Sequence, residues 1–253
     1  MKIAVVPDAQ VKPGVDLTYL EHIGMYLAEK RPEVIVNIGD FADMSSLSSY
    51  DQGRKQMEGR RYKADIEASK EGMDRLLDPI RKLNERAKRD HRPRYNPRMI
   101  MCLGNHCYRI QRAIDSDPKL EGTISLEDLG YKEAGWEVHD FLEVVTVSGV
   151  AFSHYFTSGV MGRPVASAQA LLSKKHMSAV MGHVQERQIA YATRADGKRM
   201  TGLFVGCCAP HYEEYLGPQG NTFWKGLWIL HEVDDGQFDE LPVSLEYLKK
   251  RYT

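Results

Sequence analysis

Short apolar runs, each ended abruptly by a polar cluster, punctuate the first three quarters of the chain. Ile3-Ala4-Val5-Val6 leads to Asp8-Ala9-Gln10, and Val34-Ile35-Val36-Asn37-Ile38 leads to Gly39-Asp40-Phe41-Ala42-Asp43. Met99-Ile100-Met101-Cys102-Leu103 leads to Gly104-Asn105-His106, Val150-Ala151-Phe152 to His154, and Ala179-Val180-Met181 to Gly182-His183-Val184-Gln185. Such short apolar runs predict strands. Between the first two, Leu17, Leu20, Ile23, Met25 and Leu27 predict a helix capped by Asp16 and ended before Pro32. Strand, helix and strand then make a βαβ unit with a parallel sheet.

Residues 44–61 are polar and lack apolar periodicity, as in a loop or lid. A helical pattern follows from Tyr62 to about Arg89, with Ile66, Met73, Leu76, Leu77, Ile80 and Leu83 at three- and four-residue steps. Pro79 is expected to kink it or to start a second helix. Beyond residue 140, Leu142–Val147 and Val150–Ser153 flank Ser148-Gly149 as in a hairpin. A helix over Val165–Lys174 and strands near 179–181, 188–193, 202–206 and 227–233 complete the pattern. Two mixed sheets packed together with helices outside account for both halves. With no linker or repeat, the simplest description is one domain over 1–253, carrying a basic loop-and-helix insertion at about 44–98.

Composition narrows the function classes. The chain has 253 residues, 42% hydrophobic and 27% charged, with a formal net charge of −1. That balance excludes a generalised nucleic-acid coat but allows local basic patches. No apolar stretch approaches the ~20 residues that span a bilayer, and the N-terminal run is too short for a signal peptide. A cytoplasmic protein without a membrane partner is therefore expected. Cys102, Cys107, Cys207 and Cys208 match no common zinc spacing and read as reduced thiols.

The chemistry lies where the strands end. Carboxylates, an asparagine and imidazoles at the carboxyl ends of strands converge on one sheet edge, where α/β folds bind ligands. Asp8, Asp40 and Asn105 offer oxygens, and His154 and His183 offer nitrogens suited to manganese, iron, zinc or nickel. Two cations ~3.5–4 Å apart can hold a phosphate, activate water and stabilise a leaving oxygen. A nearby imidazole can protonate that oxygen.

The ordered series Asp-x-x, Gly-Asp-x-x-Asp, Gly-Asn-His, His, Gly-His-x-x resembles the calcineurin-like metallophosphoesterase family over residues 8 to 185. The resemblance implies a four-layer αββα sandwich and a hydrolase of phosphoesters. By resemblance, Asp8 binds a first metal, Asp40 bridges, Asn105, His154 and His183 hold the second, and His106 is the catalytic histidine. One or two divalent ions are implied, manganese first, with magnesium, calcium, iron, nickel and zinc as alternatives.

The departures from that pattern are informative. Asp8-Ala9-Gln10 stands where the family has Asp-x-His, and Gln185 stands where it has the last histidine of Gly-His-x-His. Both missing histidines serve the first metal in the family, so Gln10 and Gln185 are expected to face each other across that site. The site then either takes manganese, magnesium or calcium through oxygen ligands or is weak or empty, with the chemistry run mainly from the second site. Arg-Gly after the second motif is replaced by Met44-Ser45, and Cys107 stands where an acidic residue is usual. These changes point away from a protein phosphatase.

Arg54, Lys55, Arg60, Arg61 and Lys63 follow the second motif and could neutralise a polyanionic substrate, or form a solvated loop. Tyr155, Arg163 and His211 follow strands on the predicted active edge. The expected activity is a metal-dependent phosphodiesterase or nuclease. A phosphomonoesterase, or a metal-stabilised binding module without turnover, is the alternative. The variant motifs also look like metallophosphoesterases from bacteriophage genomes, which would place the chain in a host cytoplasm.

Overall fold

The computed structural model describes residues 1–211 and 223–253. Its strands are β1 (Ile3–Val6), β2 (Val34–Asn37), β3 (Arg98–Cys102), β4 (Glu137–His139), β5 (Val145–Val147), β6 (Val150–Ser153), β7 (Ala179–Met181), β8 (Arg187–Thr193), β9 (Arg199–Val205), β10 (Gly226–Asp234) and β11 (Gln237–Ser244). Helices among the described residues are α1 (Thr18–Lys30), α2 (Tyr62–Arg89), α3 (Arg109–Ser116), α4 (Ala168–Lys175) and α5 (Leu245–Tyr252).

One sheet has the order β11-β10-β1-β2-β3-β4, with β1 to β4 parallel and β10 and β11 added antiparallel. The other has the order β5-β6-β7-β9-β8, parallel in its middle three strands and antiparallel at both edges. Side chains alternate across each strand and build three cores. Ile3, Val5, Val36 and Ile100 meet Val150, Phe152, Val180 and Leu203 between the sheets. Ala4, Val6, Ile35 and Met101 turn outward onto Leu20, Ile23 and Leu27 of α1 and Met73 and Leu76 of α2. Ala151, Ala179 and Phe204 face Ala168 and Leu171 of α4. The layers are helix, sheet, sheet, helix, the αββα sandwich of two mixed sheets.

Local differences from expectation have physical causes. Asp16 sits two residues ahead of the helix start, one before the cap position Leu17, yet its Oδ1 still accepts from the Thr18 amide at 2.9 Å and hydroxyl at 2.6 Å. Pro79 neither ends nor splits α2, which runs through it for 28 residues. Leu76, Leu77 and Ile80 around the proline are buried in the core shared with α1, and that burial offsets the one hydrogen bond proline cannot donate. The helix expected from Val165 starts at Ala168, where Ser167 Oγ accepts from the Ala170 amide at 3.1 Å.

The 44–61 segment is anchored rather than loose. Ser46 donates its amide to Asp65 Oδ2 at 2.8 Å, and Ser45 its hydroxyl to Asp65 Oδ1 at 3.2 Å, tying the segment to the first turn of α2. The 44–98 stretch as a whole carries the crossover between parallel β2 and β3. All four cysteines are buried. Among the described residues, no helix is long and apolar enough to cross a membrane.

Candidate metal centre

The carboxyl ends of β1, β2 and β3 in one sheet and of β6 and β7 in the other point to the same place. His154, fully buried after β6, donates Nδ1–H to the Ile38 carbonyl at 3.0 Å. That leaves Nε2 facing Asn105 Oδ1 at 2.9 Å and Asp40 Oδ2 at 3.2 Å. His183 Nδ1 lies 2.8 Å from the same Asn105 oxygen. Ligand atoms of Asp40, His154 and His183 all lie within 4.8 Å of one another.

A neutral imidazole nitrogen, an amide oxygen and a carboxylate oxygen converging this closely are all acceptors. They repel unless a positive charge sits among them. The donor set fits a borderline divalent cation held by two imidazoles and two oxygens.

Backbone geometry aims these groups. Asp40 itself has a left-handed backbone (φ 48°), and its Oδ1 accepts from the His106 amide at 2.8 Å. Gly104 leaves room for that carboxylate: a Cβ there would overlap Asp40 Oδ1 and lie 2.7 Å from its Cγ. Asp8, also fully buried, accepts from the His183 amide at 3.2 Å.

Gln10 is buried with a left-handed backbone (φ 45°), and its amide donates to the Asp40 carbonyl at 2.9 Å. Gln185 is left-handed too (φ 62°) and half-buried, two residues beyond His183.

The electrostatics follow from burial and proximity. Burial pushes the Asp8 carboxyl up to about 7, against the pull of His154 and with the push of Asp40. Burial also opposes charge on His154, but Asp40 and Asp8 outweigh it and raise the imidazole to about 9. Burial opposes ionisation of Asp40 as well, yet His154 and His106 hold it below the usual carboxylate range. Burial and the neighbouring His154 push His183 down to about 4. Without a cation, one proton on His154 supplies the positive charge that the acceptors require.

Beside this cluster stands a second arrangement. His106 Nδ1 is 2.7 Å from Asp43 Oδ1, so the ring is held by a carboxylate and Nε2 is left 3.9 Å from Asp40 Oδ2. Arg109, on the first turn of α3, donates Nη1–H to the Asp43 carbonyl at 2.8 Å and lies 3.3 Å from Asp43 Oδ1. Its Nη2 is 3.3 Å from His106 Nε2. Burial opposes ionisation of Asp43, but His106, Arg109 and Lys12 keep its carboxyl low.

Sequence reading did not single out Arg109. The signal was there: an arginine three residues after His106, in a chain that lacks one after Asp43.

His106, Arg109, Asn105 and His183 open into a cavity of about 1070 Å³. Of the residues expected to contact substrate, Arg54, Arg60 and Tyr155 line it. Arg60 is committed to its own segment, pairing with Asp51 at 2.6 Å and donating to the Ser45 carbonyl at 2.9 Å. Lys55 and Arg61 are exposed outside that lining, Arg61 donating to the Arg60 carbonyl. His211 is half-buried away from it, its carbonyl accepting from Lys225 Nζ at 3.2 Å. The basic residues beyond position 80 sit along α2 and its exit, where Arg81 pairs with Asp74, Lys82 with Asp78 and Arg98 with Glu137.

No protein-family model matches the chain. Among curated proteins, the Gene 54 protein of Mycobacterium phage L5 is 33% identical over 82 residues, which are 32% of this chain and 31% of that protein. The chain thus spans about a third of the length of the curated relative it matches. Similar solved structures include a Vps29 single mutant from Entamoeba histolytica, at 13% identity and TM-score 0.41 over 96% of this chain and 100% of that one. Wild-type Vps29 complexed with zinc from the same organism is similar at 12% identity and TM-score 0.41, covering 97% and 99%. A dimetal phosphatase from Danio rerio is similar at 10% identity and TM-score 0.44, covering 97% and 99%.

Proposed function

We propose that the protein is a metal-dependent phosphodiesterase that acts on nucleic acid. The observation that carries this reading is the convergence of ligand atoms of Asp40, Asn105, His154 and His183 next to the His106–Asp43 pair. A cation held by those four residues would polarise a phosphoryl oxygen and lower the pKa of an attacking water. Asp8, with Gln10 and Gln185, is our candidate for a second, oxygen-rich position.

The chain's own groups then have defined tasks. Asp43 fixes the His106 ring through Nδ1–H, so that in its imidazolium form the ring can hand its Nε2 proton to the leaving oxygen as its bond to phosphorus breaks, ending as the neutral imidazole. Arg109, beside that nitrogen, can share its Nη2 protons with a phosphoryl oxygen, the task the absent Arg-Gly arginine would have had. The diester reading is supported by a cavity of about 1070 Å³, above the size that drug-sized ligands fill. Arg54 and Arg112 line it beyond the metal centre and can meet further phosphates.

The test is hydrolysis of a chromogenic phosphodiester against its monoester, with manganese and with EDTA, alongside His106→Ala. Diester cleavage that needs both manganese and His106 is expected. Preference for the monoester would make the protein a phosphatase, and no turnover with any divalent ion would leave a binding module.

A further inference from the structure

Phosphate chemistry has no use for aromatic rings, yet three of them run away from the metal centre along one cavity wall. The Tyr155 ring lies 4.7 Å from that of His183. Phe141 meets Tyr155 edge-on at 5.6 Å, and Tyr108 is stacked on Phe141 at 5.1 Å with 28° between planes. The rings come from three separate segments: after β6, after β4, and just before α3. All three are only half-buried and all line the cavity. Rings serving only to pack would be expected to close over one another, whereas these leave part of their surface to the space beside the phosphate site.

Cations accompany the wall. Arg112, on the exposed side of α3, lines the same cavity, and its Nη2 donates to the Asn105 carbonyl at 2.6 Å. That bond holds the guanidinium at the mouth of the metal centre, next to Tyr155.

Building on the phosphodiesterase reading, we infer that the Tyr155–Phe141–Tyr108 wall is a stacking platform for unpaired bases flanking the scissile phosphate, so the substrate is single-stranded nucleic acid. Stacking on aromatic rings needs base faces that a duplex hides, and it tolerates any base. Three rings in series, with Arg112 and Arg54 in the same cavity, offer more contact than a single nucleotide uses. Each base stacked is worth roughly 5- to 150-fold in affinity.

The test compares binding of a fluorescent single-stranded ten-nucleotide oligomer with an abasic oligomer of the same length, in EDTA. The base-bearing strand should bind at least tenfold tighter, whereas equal affinities overturn the platform. This comparison needs no variant. Tyr108→Leu and Phe141→Leu should shrink the ratio towards one while leaving abasic binding unchanged; an unaltered ratio in variants that fold overturns the assignment to these rings. The oligomer annealed to its complement should lose the advantage, and equal binding of the duplex refutes the single-strand claim. A dinucleotide that binds as tightly as the ten-mer would make a small nucleotide the ligand, against the inference. Turnover of the chromogenic diester is scored separately. Turnover without base discrimination sinks the platform alone, and discrimination without turnover sinks the enzyme reading alone.

Discussion

Replacing Gly104 with alanine strikes the cradle that aims Asp40. The added methyl would overlap Asp40 Oδ1, with Cγ 2.7 Å away. The carboxylate has nowhere to retreat, because Oδ1 accepts from the His106 amide at 2.8 Å and Oδ2 faces His154 Nε2 at 3.2 Å. Overpacking of this kind costs about 1–3 kcal/mol, and loss of a hydrogen bond to a charged group about 1.5–3 kcal/mol. Together these predict a loss of about 2.5–6 kcal/mol, which for a chain of this size lowers Tm by roughly 5–24 °C.

Thermal unfolding followed by circular dichroism in EDTA measures it. Gly159→Ala is the control, since a Cβ there meets nothing within 4 Å and should be neutral within about 0.5 kcal/mol. If Gly104→Ala unfolds within about 2 °C of the wild type, Asp40 is not wedged as described.

Three further outcomes are expected. Manganese at a hundredfold excess over its Kd should stabilise the protein by about 2.7 kcal/mol, or roughly 5–11 °C. His154→Ala should abolish that shift, and an equal shift in the variant would remove His154 from the centre. Asp43→Asn should lower kcat by roughly 10²–10³-fold and leave the manganese-induced Tm shift intact; unchanged turnover would deny His106 its positioned role.

The third concerns pH in EDTA. His154 is raised from 6.5 to about 9, so its stabilisation is whole below pH 6.5 and is lost as pH climbs through 9. Asp8, raised from 3.8 to about 7, loses its protonated-state contribution over that lower range. His183 is lowered from 6.5 to about 4 and favours folding above that window. From pH 7 to 9 the His154 loss is joined by that of His139, whose imidazole burial disfavours but Glu143 and Glu137 hold above its ordinary value, so the metal-free Tm should fall there and the gain from manganese should grow. A metal-free Tm that is flat or rising to pH 9 would contradict the arrangement.

Much of the molecule is legible in the linear pattern, because strands buried on both faces leave continuous apolar runs that polar clusters then interrupt. β1, β2, β3, β6 and β7, the Ser148-Gly149 hairpin, α1 and α2 all follow from such local signals. So do Asp8, Asp40, Asn105, His154 and His183, each placed just beyond a strand. What went unread carries weak local signals. β4 is three residues at a sheet edge, half exposed, and β11 breaks its alternation at Pro242. Its turn, Asp235-Gly236, was a hairpin signal of the kind recognised at Ser148-Gly149.

The sequence alone determined which side chains end the strands, since a strand's burial and its termination are local matters of composition. Only the tertiary structure decided what those side chains meet. Arg109 is 66 residues from Asp43, and the rings of Tyr108, Phe141 and Tyr155 come from three segments. Their contacts exist because two sheets stack through a shared core and bring the ends of five strands to one edge. Hydrophobic burial sets that stacking, and it is non-directional. It therefore leaves no mark in the spacing of the polar residues it assembles.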